Sequence, residues 1–201
     1  MRVIGITGGI GSGKSTVAQL MTELGASVVE LDKVGHEALK PNSEAWKKLV
    51  SEFGENILAE TGEIDRARLG EIVFDDNRAL RRLNEIIHPE IDRIVEAKLE
   101  EYRRQGIGTV VLEAAARLDT DRSSQVDEVW VTTAPDEVVL KRLSERSGYS
   151  EKESRARIQS QSPSEERIKR ADVVIDTDCS LGELKVRVTR EWKKLQERIS
   201  N

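Results

Sequence analysis

One cysteine, Cys179, in 201 residues excludes an intramolecular disulfide framework and a thiolate zinc cluster. Aromatic residues make up only 3% of the chain, which leaves few rings for stacking on single-stranded bases. No apolar run approaches the roughly 18–20 residues that span a bilayer. The opening Met1-Arg2-Val3-Ile4-Gly5-Ile6-Thr7 runs into glycine before it has built the apolar region of a signal peptide. Neither sign of charge dominates: 32 basic and 37 acidic residues leave a net charge of -5, so no global field favours nucleic acid. Repeats, low-complexity tracts and long linkers are missing, and there are only four prolines. The expectation is a soluble, cytoplasmic protein without nucleic-acid or membrane partners. Its length fits one domain, or a core with small inserts.

What is present is an alternation of short apolar runs with longer helical patterns. Val3–Thr7, Ala26–Leu31, Thr109–Leu112, Glu128–Thr132 and Asp172–Asp176 read as strands. Each is near-continuous in Val, Ile or Leu, the pattern of strands covered on both faces of a parallel sheet. Ser15–Leu24 reads as a helix, with Val17, Leu20, Met21 and Leu24 on one face and Gly25 as its stop. Residues 32–108 are far more than a crossover needs, and they read as helices. Glu44–Phe53 is one. Asp65 caps another that buries Leu69, Ile72 and Val73, and Asp76 caps a third that buries Leu80, Leu83, Ile86 and Ile87. Pro89–Arg104 follows, with Ile91, Ile94, Val95, Leu99 and Tyr102 on one face. Ser150 with Glu153, and Ser180 with Glu183, have the spacing of capping boxes. The second opens a C-terminal helix that buries Leu184, Val188, Trp192, Leu195 and Ile199.

Gly8-Gly9-Ile10-Gly11-Ser12-Gly13-Lys14-Ser15 matches G-x-x-x-x-G-K-[ST] in full, after an expected strand and at the start of an expected helix. Glycines permit the curvature that aims several N–H groups at one anion, and the helix adds its positive end. Lys14 has the reach to meet the β- and γ-phosphates, and the Ser15 hydroxyl suits Mg²⁺. Gly9, Gly11, Ser12, Gly13, Lys14, Ser15 and Thr16 are therefore the expected ATP-binding residues. A GTPase would carry a base-reading Asn-Lys-x-Asp, and the chain has none. A motor usually has four apolar residues ending in an acid, which Thr109–Glu113 meets imperfectly, and this chain lacks room for further machinery.

Asp32 falls at the carboxyl end of the second strand, the edge where open α/β sheets place ligands. It suits taking a proton from an acceptor hydroxyl, helping to position Mg²⁺, or capping a helix over Lys33–Leu39. Glu30 shares its strand face and is a secondary candidate. His36 is spaced to pair with Asp32 on a helix surface. Arg142, Arg146, Arg155 and Arg157 read either as a solvated helix face or as charge set against a phosphoryl group, Arg142 foremost. Trp46, Trp130 and Trp192 read as core residues.

The order of these motifs resembles the dephospho-coenzyme A kinase family. The match runs from about residue 2 to 190. It comprises Thr7–Thr16, Asp32 with His36, Phe53-Gly54, Leu83-Asn84, Ile87-His88-Pro89, Arg142-Leu143, Arg146, Gly148, Ser150, Ala156-Arg157, Gln161 and Ala171–Asp176. The resemblance implies a P-loop NTPase-type three-layer α/β core with a five-stranded parallel sheet, formed by residues 1–31, 107–140 and 171–201. It also implies a helical acceptor-binding insert at residues 32–106 and a helical lid at 141–170. ATP with Mg²⁺ would phosphorylate the ribose 3′-hydroxyl of dephospho-coenzyme A, giving coenzyme A and ADP. Lys14, Asp32 and Arg142 would be catalytic, Arg146 would join the ATP contacts, Ser15 would serve the metal, and Asp32, His88 and Glu113 would meet the acceptor. A monomer or small homo-oligomer is expected. The chain departs from the family where many members read Asp-Ile-Pro-Leu-Leu-x-Glu: it has Glu113-Ala114-Ala115-Ala116-Arg117-Leu118-Asp119, which bears on acceptor contacts. The alternatives are another P-loop nucleoside or nucleotide kinase, and a non-catalytic ATP-binding regulator.

Overall fold

The structure, a computed structural model, describes residues 1–74, 76–114 and 125–200. The expectations for residues 115–119 and for the side chain of Ile199 lie outside the described residues. Strands β1 (Arg2–Gly8), β2 (Ser27–Glu30), β3 (Thr109–Glu113), β4 (Glu128–Thr133) and β5 (Val173–Asp176) form one sheet in the order β2-β3-β1-β4-β5. Every pair is parallel. The chain runs from β1 out to β2, back to β3 and then across to β4. The order therefore reverses around β1, whose carboxyl end is flanked by those of β3 and β4. Open parallel sheets bind ligands at such a switch point. Topology thus puts the loop that leaves β1 at the ligand edge.

The three inner strands bury their apolar residues on both faces, as the near-continuous runs predict. At the β5 edge the expectation fails: Val173 and Ile175 join the core, but Val174 points away from it and is 44% exposed. An edge strand has a neighbour on one side only, and here the second face lacks a full cover.

The chain divides into two compact units, Met1–Glu30 with Tyr102–Asn201, and Leu31–Glu101. In the first, α1 (Lys14–Glu23) and the C-terminal helix α9 (Leu181–Ser200) pack against Ile4, Ile6, Val111 and Trp130 through Val17, Met21, Val188 and Leu195. Helices α6 (Asp136–Ser147), α7 (Glu151–Gln159) and α8 (Ser164–Lys169) belong to the same unit, and the lid boundary expected at residue 141 falls inside α6. Both capping boxes form. Ser150 and Ser180 each exchange hydrogen bonds with the glutamate three residues on, which holds Glu153 and Glu183 below the usual carboxylate range.

The second unit holds α2 (Leu31–Ala38), α3 (Glu44–Phe53), α4 (Arg66–Phe74) and most of α5 (Asn77–Arg104). Its core gathers Ala45, Leu49, Ile57, Leu69, Val73 and Ile86. Asp65 and Asp76 accept backbone N–H groups at the starts of α4 and α5. Two expectations are corrected here. The helices expected on either side of His88-Pro89 are one helix with Pro89 inside it. The internal proline costs about 3 kcal/mol. Ile86 and Ile91, at 7% and 8% exposure, keep the apolar stripe continuous across it, and each buried isoleucine contributes roughly 1.5–3 kcal/mol. Leu80, expected in the core, is 39% exposed. The helix packs through Ala79, Leu83, Ile86 and Ile87, and Leu80 lies in its first turn. Among the described residues no helix is long and apolar enough to cross a membrane.

Two stability measurements check this packing. Leu195→Ala, at a fully buried position of α9, is expected to cost about 2–5 kcal/mol in urea unfolding. Val174→Thr is expected to stay within about 0.5 kcal/mol of the parent; equal losses would contradict the assigned faces. The second concerns Asp176. Its carboxylate accepts the Asp178 N–H and the Arg187 guanidinium, which holds it below its ordinary value of 3.8. A depressed carboxylate stabilises the fold above its unfolded titration and loses that contribution as pH falls through the folded value. Asp176→Asn should therefore lower the urea midpoint at pH 7, and the gap from the parent should close as the pH drops below 3.8.

Candidate active site

Residues 8–15 leave β1 at the switch point and fold into a cradle whose shape depends on missing side chains. Gly8 has φ 154°, and a Cβ there would collide with the Thr132 hydroxyl and lie 2.6 Å from Ser12 Oγ. Those two hydroxyls are themselves bonded at 2.7 Å and buried. Gly13, at φ 87°, ends the loop in the left-handed region and caps α1. A Cβ on Gly13 would crowd Thr177 at 3.2 Å. The loop is thus clamped between the carboxyl ends of β4 and β5, with the N-terminus of α1 as its floor.

Lys14 is the first residue of α1, and its ammonium turns back into the loop. It donates to Gly8 O at 2.8 Å and Gly9 O at 2.9 Å, which fixes a positive charge in the concavity. Ser12 faces the other way. Its hydroxyl is bonded to that of Thr132 at 2.7 Å and its N–H donates to Gly9 O at 3.2 Å. Ser15 and Thr16 are exposed in the first turn of α1. The Ser15 hydroxyl donates to Glu113 Oε1 at 2.6 Å. Glu113, expected on the acceptor, therefore has its carboxylate on the loop's last residue. Its Cα partner across the sheet is Glu30, which is exposed. Among the described residues no cluster of three or more His, Cys, Asp or Glu exists to hold a metal by itself. A hydroxyl and a carboxylate in contact fit the other arrangement, a Mg²⁺ held by few protein oxygens and completed by phosphate and water.

Arg142 lies on α6, and its guanidinium grips the loop's outer wall. Nη1 donates to Gly11 O at 3.2 Å and to Thr177 Oγ1 at 2.9 Å, and Nη2 donates to Thr177 O at 2.6 Å. Thr177 Oγ1 lies 2.9 Å from Ser12 O, which ties the same wall together. Arg146 is exposed in the last turn of α6. Two further residues reach the loop. Gln161 Oε1 accepts the Ile10 N–H at 2.8 Å, and the Arg167 guanidinium lies 3.2 Å from where a Gly9 Cβ would be. Residue pattern singled out none of Thr132, Thr177 and Arg167. The only signal for the two threonines was their place at strand ends.

In the second unit Asp32 is exposed in the first turn of α2, which starts at Leu31. The helix thus begins ahead of the Lys33–Leu39 span expected for a cap at Asp32. His36 donates from Nδ1 to the Asp32 backbone carbonyl at 2.6 Å, so the expected pair with the Asp32 carboxylate does not form. A carbonyl only accepts, which places a proton on Nδ1. His88 is exposed on α5. Trp130 and Trp192 are core residues as expected, whereas Trp46 is half-buried and donates to Gly62 O.

The same chain resembles proteins of known family along its whole length. The dephospho-CoA kinase family model matches residues 2–183. A dephospho-CoA kinase of Carboxydothermus hydrogenoformans is 42% identical over 194 residues, covering 95% of this chain and 94% of that protein. A solved structure from Thermus thermophilus superposes with a TM-score of 0.80 at 34% identity, covering 96% of this chain and 97% of its own. A dephospho-CoA kinase structure from Campylobacter jejuni gives 0.72 at 28% identity, with 98% of both chains covered. A P-loop built around Lys14, on a parallel sheet of this order and with full-length matches of this kind, leads to one conclusion: the chain belongs to the dephospho-CoA kinase family.

Proposed function

We propose that the protein transfers the γ-phosphoryl group of ATP to the ribose 3′-hydroxyl of dephospho-coenzyme A, releasing coenzyme A and ADP. The observation that carries this reading is the loop of residues 8–15, with the Lys14 ammonium held at its centre, in a chain of this family. Phosphoryl transfer asks the protein for positioning and charge compensation more than for covalent chemistry. The loop amides of Gly9, Gly11, Gly13, Lys14, Ser15 and Thr16 are suited to the ATP phosphates, and Lys14 exchanges its carbonyl contacts for phosphate oxygens. Ser15 and Glu113 are the residues that would hold Mg²⁺, which when bound compensates charge between the β- and γ-phosphates. Arg142 secures the wall of the loop, and Arg146 follows one turn later. Asp32 accepts the proton of the acceptor hydroxyl, and His88 belongs to the acceptor-binding unit. Residues 141–170 act as a lid that excludes water, a competing acceptor. With no field favouring nucleic acid, a cytoplasmic enzyme working as a monomer or small homo-oligomer is the setting this reading implies.

The acceptor is tested by ADP release with dephospho-coenzyme A, adenosine, AMP and shikimate in parallel. The first should be preferred by a wide margin; a flat profile would leave only a kinase of unassigned acceptor. In the same assay Asp32→Asn should lower kcat by about 10²–10⁴ while ATP affinity holds. A loss confined to nucleotide affinity would mark Asp32 as structural or metal-positioning. Glu113→Gln should raise the Mg²⁺ concentration needed for half-maximal rate and leave the acceptor KM near the parent value. A raised acceptor KM at unchanged Mg²⁺ demand would instead return Glu113 to the acceptor.

A further inference from the structure

We propose that Arg167 is a catalytic residue whose guanidinium contacts the phosphoryl group in transit, and that Gln161 is the positioning residue that holds it there. The inference rests on the phosphotransferase reading above and adds to it a cation from outside the P-loop motif. Arg167 is 6% exposed on α8, which packs against β1 and β4. Burying a guanidinium carries a large desolvation cost, so its location is informative. That location is beside the phosphate-binding loop: Nη2 lies 3.2 Å from the Cβ position of Gly9, where a side chain would make a tight contact. Lys14 Nζ donates to the carbonyl of the same Gly9 at 2.9 Å. Two cations from distant parts of the chain therefore flank one loop residue. Like charges brought together disfavour each other, and a polyanion between them reverses the sign of the interaction.

The placement is held from the loop side as well. Gln161 Oε1 accepts the Ile10 N–H at 2.8 Å across 151 positions of sequence, and it lies 3.3 Å from the Gly9 Cβ position. This bond docks the turn between α7 and α8 onto the loop, and so sets where Arg167 begins its reach. An arginine suits the task because its planar fork meets two phosphate oxygens at once and stays charged throughout the reaction. Arg142 has both terminal nitrogens on Gly11 and Thr177 and braces the wall of the loop.

The test uses the full chain, with steady-state turnover on ATP, Mg²⁺ and dephospho-coenzyme A, and calorimetric binding of ADP and of a non-hydrolysable ATP analogue. Arg167→Ala should lower kcat by about 10²–10³. It should weaken the ATP analogue while leaving ADP within about threefold of the parent, and recover part of its rate when guanidinium is added. Arg167→Lys should fall between the two, since charge survives without the fork. Gln161→Ala should lower kcat by about tenfold, with no recovery in guanidinium. A kcat for Arg167→Ala within about threefold of the parent would overturn the proposal. So would equal losses for ADP and ATP analogue without rescue, which mean that Arg167 only holds α8 in place. If Arg167→Ala does not fold, Arg167→Met is judged by the same readouts; failure of both to fold marks a structural residue and also overturns it. Should the parent protein release no acceptor-dependent ADP, the kinase reading falls on its own, and the binding comparison still decides Arg167.

Discussion

The contact on which the site depends is the approach of Gly8 to Thr132. The chain leaves β1 so close to β4 that no Cβ fits at residue 8, and the space is filled by the bonded hydroxyls of Ser12 and Thr132. That contact forces the loop to rise on one side of the sheet edge and descend at Gly13 beside Thr177. It also turns the carbonyls of Gly8 and Gly9 toward the Lys14 ammonium. Any side chain at residue 8 pushes the loop off β4, and the ammonium then loses both carbonyls. The sheet order matters for the same reason: only a strand with neighbours on both sides supplies β3 for Ser15 and β4 for the loop.

Charge is distributed to match. The chain is acidic overall, at -5, yet its active-site edge gathers Lys14, Arg142, Arg167 and the positive end of α1. A protein that handles polyanionic substrates gains from concentrating positive potential in a cleft and not across its surface. The carboxylate at that edge, Glu113, accepts the Ser15 hydroxyl.

Features encoded within a few residues were legible in the sequence. The strand runs, the capping boxes at Ser150 and Ser180, the aspartate caps at 65 and 76, and the loop itself all form as read. Features carried by pairing across the chain were not. Thr177 meets Ser12 over 165 positions with no local pattern to mark it, and Gln161, part of the family resemblance, meets Ile10 over 151 positions in a contact that no spacing reveals. Pro89 misleads for a related reason: its local cost argues for a helix end, but the continuous stripe from Ile86 to Ile94 outweighs it. Asp32 was ambiguous because helix caps and strand-end carboxylates look alike in sequence. In the structure Asp32 falls in the first turn of α2, which starts at Leu31.

The acceptor side is the part of the account with the most chemistry resting on one residue. Asp32 is exposed and placed two residues after the end of β2. The most direct test is a crystal structure with a non-hydrolysable ATP analogue and dephospho-coenzyme A both bound, and in it the distance from the Asp32 carboxylate to the ribose 3′-oxygen. A separation of about 2.6–3.2 Å is expected, with that oxygen in line with the γ-phosphorus. A 3′-oxygen beyond hydrogen-bond reach of Asp32, or facing away from the loop that holds Lys14, would contradict the account.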